Sequence, residues 1–141
     1  GGGSSDGAPF ERALRTLVAT PTAAPMYVTA AGGAHGGAVL TFDGGVGGKV
    51  RVERLADAPT YYVVQTNYDR WRPDPADDNR RTAAESVLEH LGAAIGASDA
   101  GLLTALSATP VHNNDTIYTA VANAVDGSLR VWLRYPPRGV S

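Results

Sequence analysis

The amino-acid sequence predicts an α+β domain, a mainly antiparallel sheet with helices packed against it. Three observations carry this. Short β-prone runs separated by glycine-rich turns fill the stretch from Met26 to Thr66. Two apolar-periodic helical segments follow a loop rich in proline and aspartate, and a last pair of β-prone runs is joined by Asp126-Gly127. Strands connected by tight turns pair antiparallel, and helices gathered beside them rather than alternating with them belong to the α+β pattern.

Residues 1–8 form a flexible lead-in with nothing to bury, and residues 9–141 a single domain with one core, the expectation for a chain of 141 residues with 43% hydrophobic content. Pro9 suits a first helical turn, and Phe10, Leu14, Leu17 and Val18 share one face of a helix reaching about Ala19. Three strands are predicted at Met26 to Ala30, Ala38 to Phe42 and Val50 to Leu55. A fourth, Thr60 to Thr66, has two tyrosines and two valines in succession and reads as a strand buried on both faces.

After Trp71 the stretch RPDPADDN has too many prolines and turn formers for helix or central strand, so it is a loop. Thr82 and Glu85 have the spacing of a capping box, with Val87, Leu88, Leu91 and Ile95 as the apolar stripe of the helix it opens. The loop thereby delivers Arg80 to a helix start. A shorter helix, Asp99 to Leu106, is capped by Ser98, and a hairpin of Thr116 to Ala124 and Ser128 to Arg134 closes the chain.

Composition excludes several functions. A formal net charge of -2 with pI near 5.9 makes no basic field, so nucleic acid is not an expected partner. The apolar runs fall below the roughly 18 residues of a membrane span, and GGGSSDGA has neither the basic residue nor the apolar block of a signal peptide. There is no cysteine, hence neither disulfide nor thiol chemistry within this sequence. His35, His90 and His112 lack metal-ligand spacing, so no metal and no cofactor are expected.

The chemistry-bearing stretch is VVQTNYDRW, Val63 to Trp71, which ends an apolar run in amide, carboxylate and guanidinium, followed by Arg80 and Arg81. Asn67 has a non-titrating NH2 suited to a developing oxyanion, though an asparagine at a strand end is also an ordinary turn former. Arg80 either forks onto a substrate, carboxylate or thiolate at a site or makes a surface ion pair with Asp77 or Asp78; Arg81 is assigned the ion-pair role. Asp69 reads as structural, orienting Arg80 or Arg70. Tyr68 and Trp71 either wall a substrate channel or serve as core aromatics. Asn114-Asp115-Thr116 is an N-glycosylation sequon.

From about Pro9 to about Pro137, and above all in YYVVQTNYDRW, DDNRRTA and TPVHNNDTIYTAV, the sequence resembles the C-terminal part of the catalytic subunit of the acid ceramidase and N-acylethanolamine acid amidase family. The resemblance implies an N-terminal-nucleophile hydrolase with an αββα sandwich, of which this chain supplies part. It implies hydrolysis of the fatty-acid amide bond of a lipid, with Asn67 in the oxyanion hole and Arg80, matching the first arginine of the family's DDRR run, positioning substrate or nucleophile. Asn79 departs from that run, where an acidic residue is usual. It also implies a sequon at Asn114, a lysosomal or secretory location and contact with a membrane surface in the full protein. YYVVQTNYDRW reads closer to the ceramidase branch and PVHNNDTIYTAV to the acylethanolamine branch, leaving the choice of lipid open.

The family's nucleophile is a cysteine, and this sequence has none. The expected partner is therefore a missing N-terminal segment or subunit carrying that cysteine, and the chain alone is expected to be inactive. The alternative is a noncatalytic relative serving as a lipid-binding or scaffold module. If the chain is half of a sandwich, a sheet formed by Met26 to Ala30, Thr60 to Thr66 and Thr116 to Ala124 should present an apolar, incompletely covered face.

Overall fold

The computed structural model describes residues 8–33 and 36–134. Their order is α1 (Ala8–Ala19), β1 (Met26–Ala31), β2 (Gly37–Phe42), β3 (Val50–Arg54), a 3-10 turn (Leu55–Asp57), α2 (Arg80–Gly96), α3 (Asp99–Ser107), β4 (Tyr118–Asn123) and β5 (Ser128–Leu133). The chain is α+β with antiparallel pairing throughout these strands, in the orders β1-β2-β3 and β4-β5. It divides into two compact units, one running to Val63 and taking in Ala124–Asp126, the other comprising Val64–Asn123 and the residues from Gly127 onward.

In the first unit β2 is the central strand, paired from Met26↔Phe42 to Ala31↔Gly37 on one side and from Ala38↔Arg54 to Phe42↔Val50 on the other. Ala38, Leu40 and Phe42 share one face and bury Leu14 of α1 among them; Phe10, Leu17, Val28 and Val52 close around this core. Val39 and Thr41, on the opposite face, are buried too. The strand covered on both faces is therefore β2. A forked pair, Arg54 Nη1 and Nη2 on Glu11 Oε1 and Oε2 at 2.6 and 2.9 Å, ties β3 to α1.

The predicted strand Thr60 to Thr66 joins neither sheet, and β1 and β4 lie in different sheets, which corrects the expectation of one sheet through all three. The physical reason is that β propensity describes a fit to a half-buried pleated surface, whereas a strand exists only when a neighbour accepts its backbone bonds. Residues 61–66 are half-buried as that propensity requires, but no strand pairs with them among the described residues. Within the segment the Thr60 hydroxyl donates to the Tyr62 carbonyl at 2.7 Å, and the Tyr61 and Tyr62 rings meet edge to face at 5.1 Å.

In the second unit α2 packs against α3, with Ala84, Leu88 and Ala105 buried. Gly101 allows the close approach, since a Cβ there would strike the Ile95 carbonyl. Ser98 caps α3 as predicted, accepting the Gly101 N–H at 3.1 Å. Two expectations for α2 fail. It begins at Arg80 rather than at a Thr82 cap, and the apolar stripe does not reach Ile95, which is 57% exposed. Gly92 explains the second: at φ 68° and ψ 167° it breaks the helix and shifts the phase of the residues after it.

The β4–β5 hairpin buries Thr119 and Val121 on one side. Arg134 bonds the Thr119 hydroxyl (2.9 Å) and the Ser107 hydroxyl of α3 (2.7 Å), which satisfies the buried threonine and ties the hairpin to the helix. On the other side, Tyr118, Ala120 and Ala122 stand opposite Leu133, Val131 and Leu129, and all six are exposed.

Candidate functional site

The site is built in the second unit where the run from Val64 turns into α2. The Gln65 carboxamide donates to the carbonyls of Thr66 (2.7 Å) and Tyr68 (2.9 Å), folding the chain back so that Asn67 and Tyr68 stand exposed. Thirteen residues later the first turn of α2 returns to meet them through Arg80.

Asp74 fixes that return. Its Oδ2 accepts both the Thr82 N–H (2.9 Å) and the Thr82 hydroxyl (2.7 Å), so a carboxylate from the loop does the capping that the Thr82–Glu85 pattern predicted locally. Arg81 is buried, with its Nη2 2.8 Å from Asp74 Oδ1. That nitrogen donates to the Arg72 carbonyl at 2.5 Å and Nη1 to the Asp69 carbonyl at 3.3 Å, so the contact with Oδ1 is chiefly an ion pair. Burial works against the charged form of Asp74, but the two bonds from Thr82 and the Arg81 charge outweigh it and hold the carboxyl below the usual range. Arg81 does make an ion pair, but a buried one with Asp74 rather than the surface pair with Asp77 or Asp78 expected from the sequence.

Arg80, one residue earlier, faces elsewhere. Its Nε donates to Asp78 Oδ1 at 2.7 Å and its Nη2 to Asp78 Oδ2 at 2.6 Å. Nη2 also donates to Asn67 Oδ1 at 2.9 Å. The bond from Arg80 holds the Asp78 carboxyl below its ordinary value, and the same bond raises the arginine's. Arg80 thus makes the ion pair and reaches Asn67 at once; the two readings of this residue are not exclusive.

A cleft of about 570 Å3 opens beside the pair, lined on one side by Tyr68, Asp77, Asp78, Asn79 and Arg80. Its other wall is Pro110, Val111, Asn113, Asp115 and Thr116. Asn113 organises that wall: its Oδ1 accepts the Asp115 N–H (2.9 Å) and its own N–H donates to Thr116 Oγ1 (3.0 Å). Asn114, between them, is exposed and does not line the cleft. Nor does Trp71, which is 46% exposed; Asp69 pairs with Arg72 at 3.6 Å. His35 lies outside the described residues, and among those residues no cluster of three His, Asp or Glu side chains could hold a metal ion.

A guanidinium only donates, so the Asn67 oxygen must face Arg80 and the NH2 must face away. Those two N–H bonds, and those on Arg80 Nη1, have no partner among the described residues. Arg80 lines the polar cleft and Asn67 does not; the pair offers fixed, non-titrating donors, which suit an acceptor that gains negative charge. Sequence reasoning brought Asn67, Tyr68 and Arg80 to one place but read Asp74 only as a turn former and Asp78 only as a surface partner. No local pattern marks an aspartate that caps a helix starting six residues later.

The site joins the Asn67 carboxamide to the Arg80 guanidinium, and Arg80 lines a polar cleft. The comparisons with known proteins give the family. The chain is 40% identical over 119 residues to the N-acylethanolamine-hydrolyzing acid amidase of Rattus norvegicus, a match covering 83% of this chain and 32% of that protein. It is 38% identical over 124 residues to the Mus musculus amidase, 86% of this chain and 33% of that one. It is 35% identical over 135 residues to the acid ceramidase of Homo sapiens, 91% of this chain and 32% of that enzyme. The chain belongs to the acid ceramidase and N-acylethanolamine acid amidase family, and it spans about a third of the length of these relatives. No family model matches it.

Proposed function

We propose that this chain is the oxyanion-side portion of a lipid amidase that cleaves the fatty-acid amide bond of an N-acylethanolamine or a ceramide. The observation that carries the reading is the 2.9 Å bond from Arg80 Nη2 to Asn67 Oδ1, which leaves the asparagine NH2 to donate. Attack on the amide carbonyl drives negative charge onto its oxygen, and Asn67 would stabilise it without taking up or releasing a proton. Arg80 holds Asn67 and offers its remaining donors to the substrate head group or to the nucleophile, with Tyr68 on the same wall of the cleft. The nucleophilic cysteine would come from polypeptide outside this sequence, which has none. As in the family resemblance, that part would complete an N-terminal-nucleophile αββα sandwich. A lysosomal or secretory setting, with a glycan on exposed Asn114 and a membrane surface as the source of substrate, accompanies the reading.

The absence of cysteine favours a second reading, a noncatalytic lipid-binding or scaffold relative. Complementation decides between them. The chain alone should hydrolyse neither lipid class. Joined to the cysteine-bearing part of a family member, it should support turnover, and Asn67→Ala should lower kcat by about a hundredfold or more while leaving the melting temperature unchanged. Turnover that falls only in step with stability would make Asn67 a turn residue. Failure of the complemented protein to turn over either lipid, while still binding it, would favour the noncatalytic module.

A further inference from the structure

We infer that Asp78 is a positioning residue for this site: its carboxylate sets the plane of the Arg80 guanidinium, and the guanidinium sets which end of the Asn67 carboxamide is left to donate. The inference rests on the oxyanion role proposed for Asn67 and names the group that orients it.

Asp78 grips one edge of the guanidinium with both oxygens, Oδ1 on Nε (2.7 Å) and Oδ2 on Nη2 (2.6 Å). Because the guanidinium is planar and rigid, holding that edge fixes the direction of every other N–H bond it carries, including the one from Nη2 to Asn67 Oδ1 at 2.9 Å. Asp78 is itself held. Its side chain is 17% exposed, and its Oδ1 also accepts the Arg80 backbone N–H at 3.4 Å at the start of α2. Asp78 therefore holds Arg80 at two points, its guanidinium and the helix start that carries it. Without the carboxylate the arginine head would rotate on its flexible stem, and the carboxamide would lose the donor that distinguishes its oxygen from its nitrogen.

Asp78→Asn is the discriminating variant. It can keep an acceptor for the Arg80 backbone N–H, 3.4 Å from Oδ1 at the start of α2, but lacks the charge and the second oxygen. In the chain by itself, side-chain 15N–1H spectra should show the Arg80 Nε–H and the Asn67 NH2 resonances displaced, with faster solvent exchange at the arginine and little change in melting temperature. Asp78→Glu, which keeps the charge on a longer arm, should restore part of the shift. In the complemented amidase, Asp78→Asn should lower kcat by about tenfold to a hundredfold with KM nearly unchanged. Arg80 and Asn67 resonances that stay in place in Asp78→Asn would overturn the inference, as would a kcat loss that only tracks melting temperature. A normal kcat in Asp78→Asn beside a large loss in Asn67→Ala would sink this inference alone. A normal kcat in Asn67→Ala would sink the oxyanion reading instead, and displaced resonances would then still establish the orienting contact.

Discussion

The Asp74 carboxylate accepts both the backbone N–H and the hydroxyl of Thr82, eight residues further on, at 2.9 and 2.7 Å. That pair of bonds ties the loop after Trp71 to the first turn of α2. It therefore places Arg80 where it meets Asn67. Asp74→Ala should remove the cap and leave buried Arg81 without its ion-pair partner, at a cost of about 2–4 kcal/mol. Asp74→Asn, which keeps an acceptor, should cost less. Urea unfolding of the three proteins checks this, and equal midpoints would show that α2 starts without Asp74.

Carboxylates of opposite behaviour flank the helix start, so their pH effects should separate. The Thr82 bonds offset burial at Asp74, and the Arg80 bond acts at Asp78, so both carboxyls lie below the ordinary range. In such groups the unfolded chain binds protons first as pH falls. Their contribution is present above about pH 3.9 and is lost only as pH drops through the lower folded values. Glu85 is pushed up, chiefly by burial. There the folded state holds the proton more tightly, so its contribution weakens as pH rises from about 4.3 through the folded value. Glu85→Gln should therefore stabilise the chain at pH 7 and change little below pH 4. Melting curves across that range test it, and an equal effect at both ends would contradict the sign.

Arg80→Lys keeps the charge but not the fork. A lysine ammonium can pair with Asp78 or reach Asn67, but it has no planar edge to hold both in register. In the complemented amidase this substitution should lower kcat by about tenfold or more, close to the effect of Arg80→Ala. Wild-type turnover in Arg80→Lys would show that only charge matters at this position.

The hairpin face of Tyr118, Leu129, Val131 and Leu133 is 61, 66, 53 and 82% exposed. Apolar surface of this extent in one patch should make the isolated chain bind hydrophobic dye and self-associate. Leu133→Lys should reduce both without lowering the melting temperature. A monodisperse chain that ignores the dye would show the face to be innocuous.

What the amino-acid sequence determined by itself was local. Periodicity placed α1, Ser98 gave the cap of α3, and Asp126-Gly127 joined β4 to β5, because these depend on residues within a few positions of one another. The QTNYD run and Arg80 were legible as a candidate site for the same reason, since their residue types carry their chemistry with them. Tertiary structure decided the rest. Thr60 to Thr66 has every preference of a strand yet pairs with none among the described residues, whereas Ala38 to Phe42, a less β-prone run, became the strand covered on both faces. Thr82 lost its expected cap role to a carboxylate eight residues away, and Gly92 turned Ile95 out of the apolar stripe of α2. A backbone group takes whichever partner the packed chain brings to it. Propensity describes what a segment would accept, and only the fold supplies what it is offered.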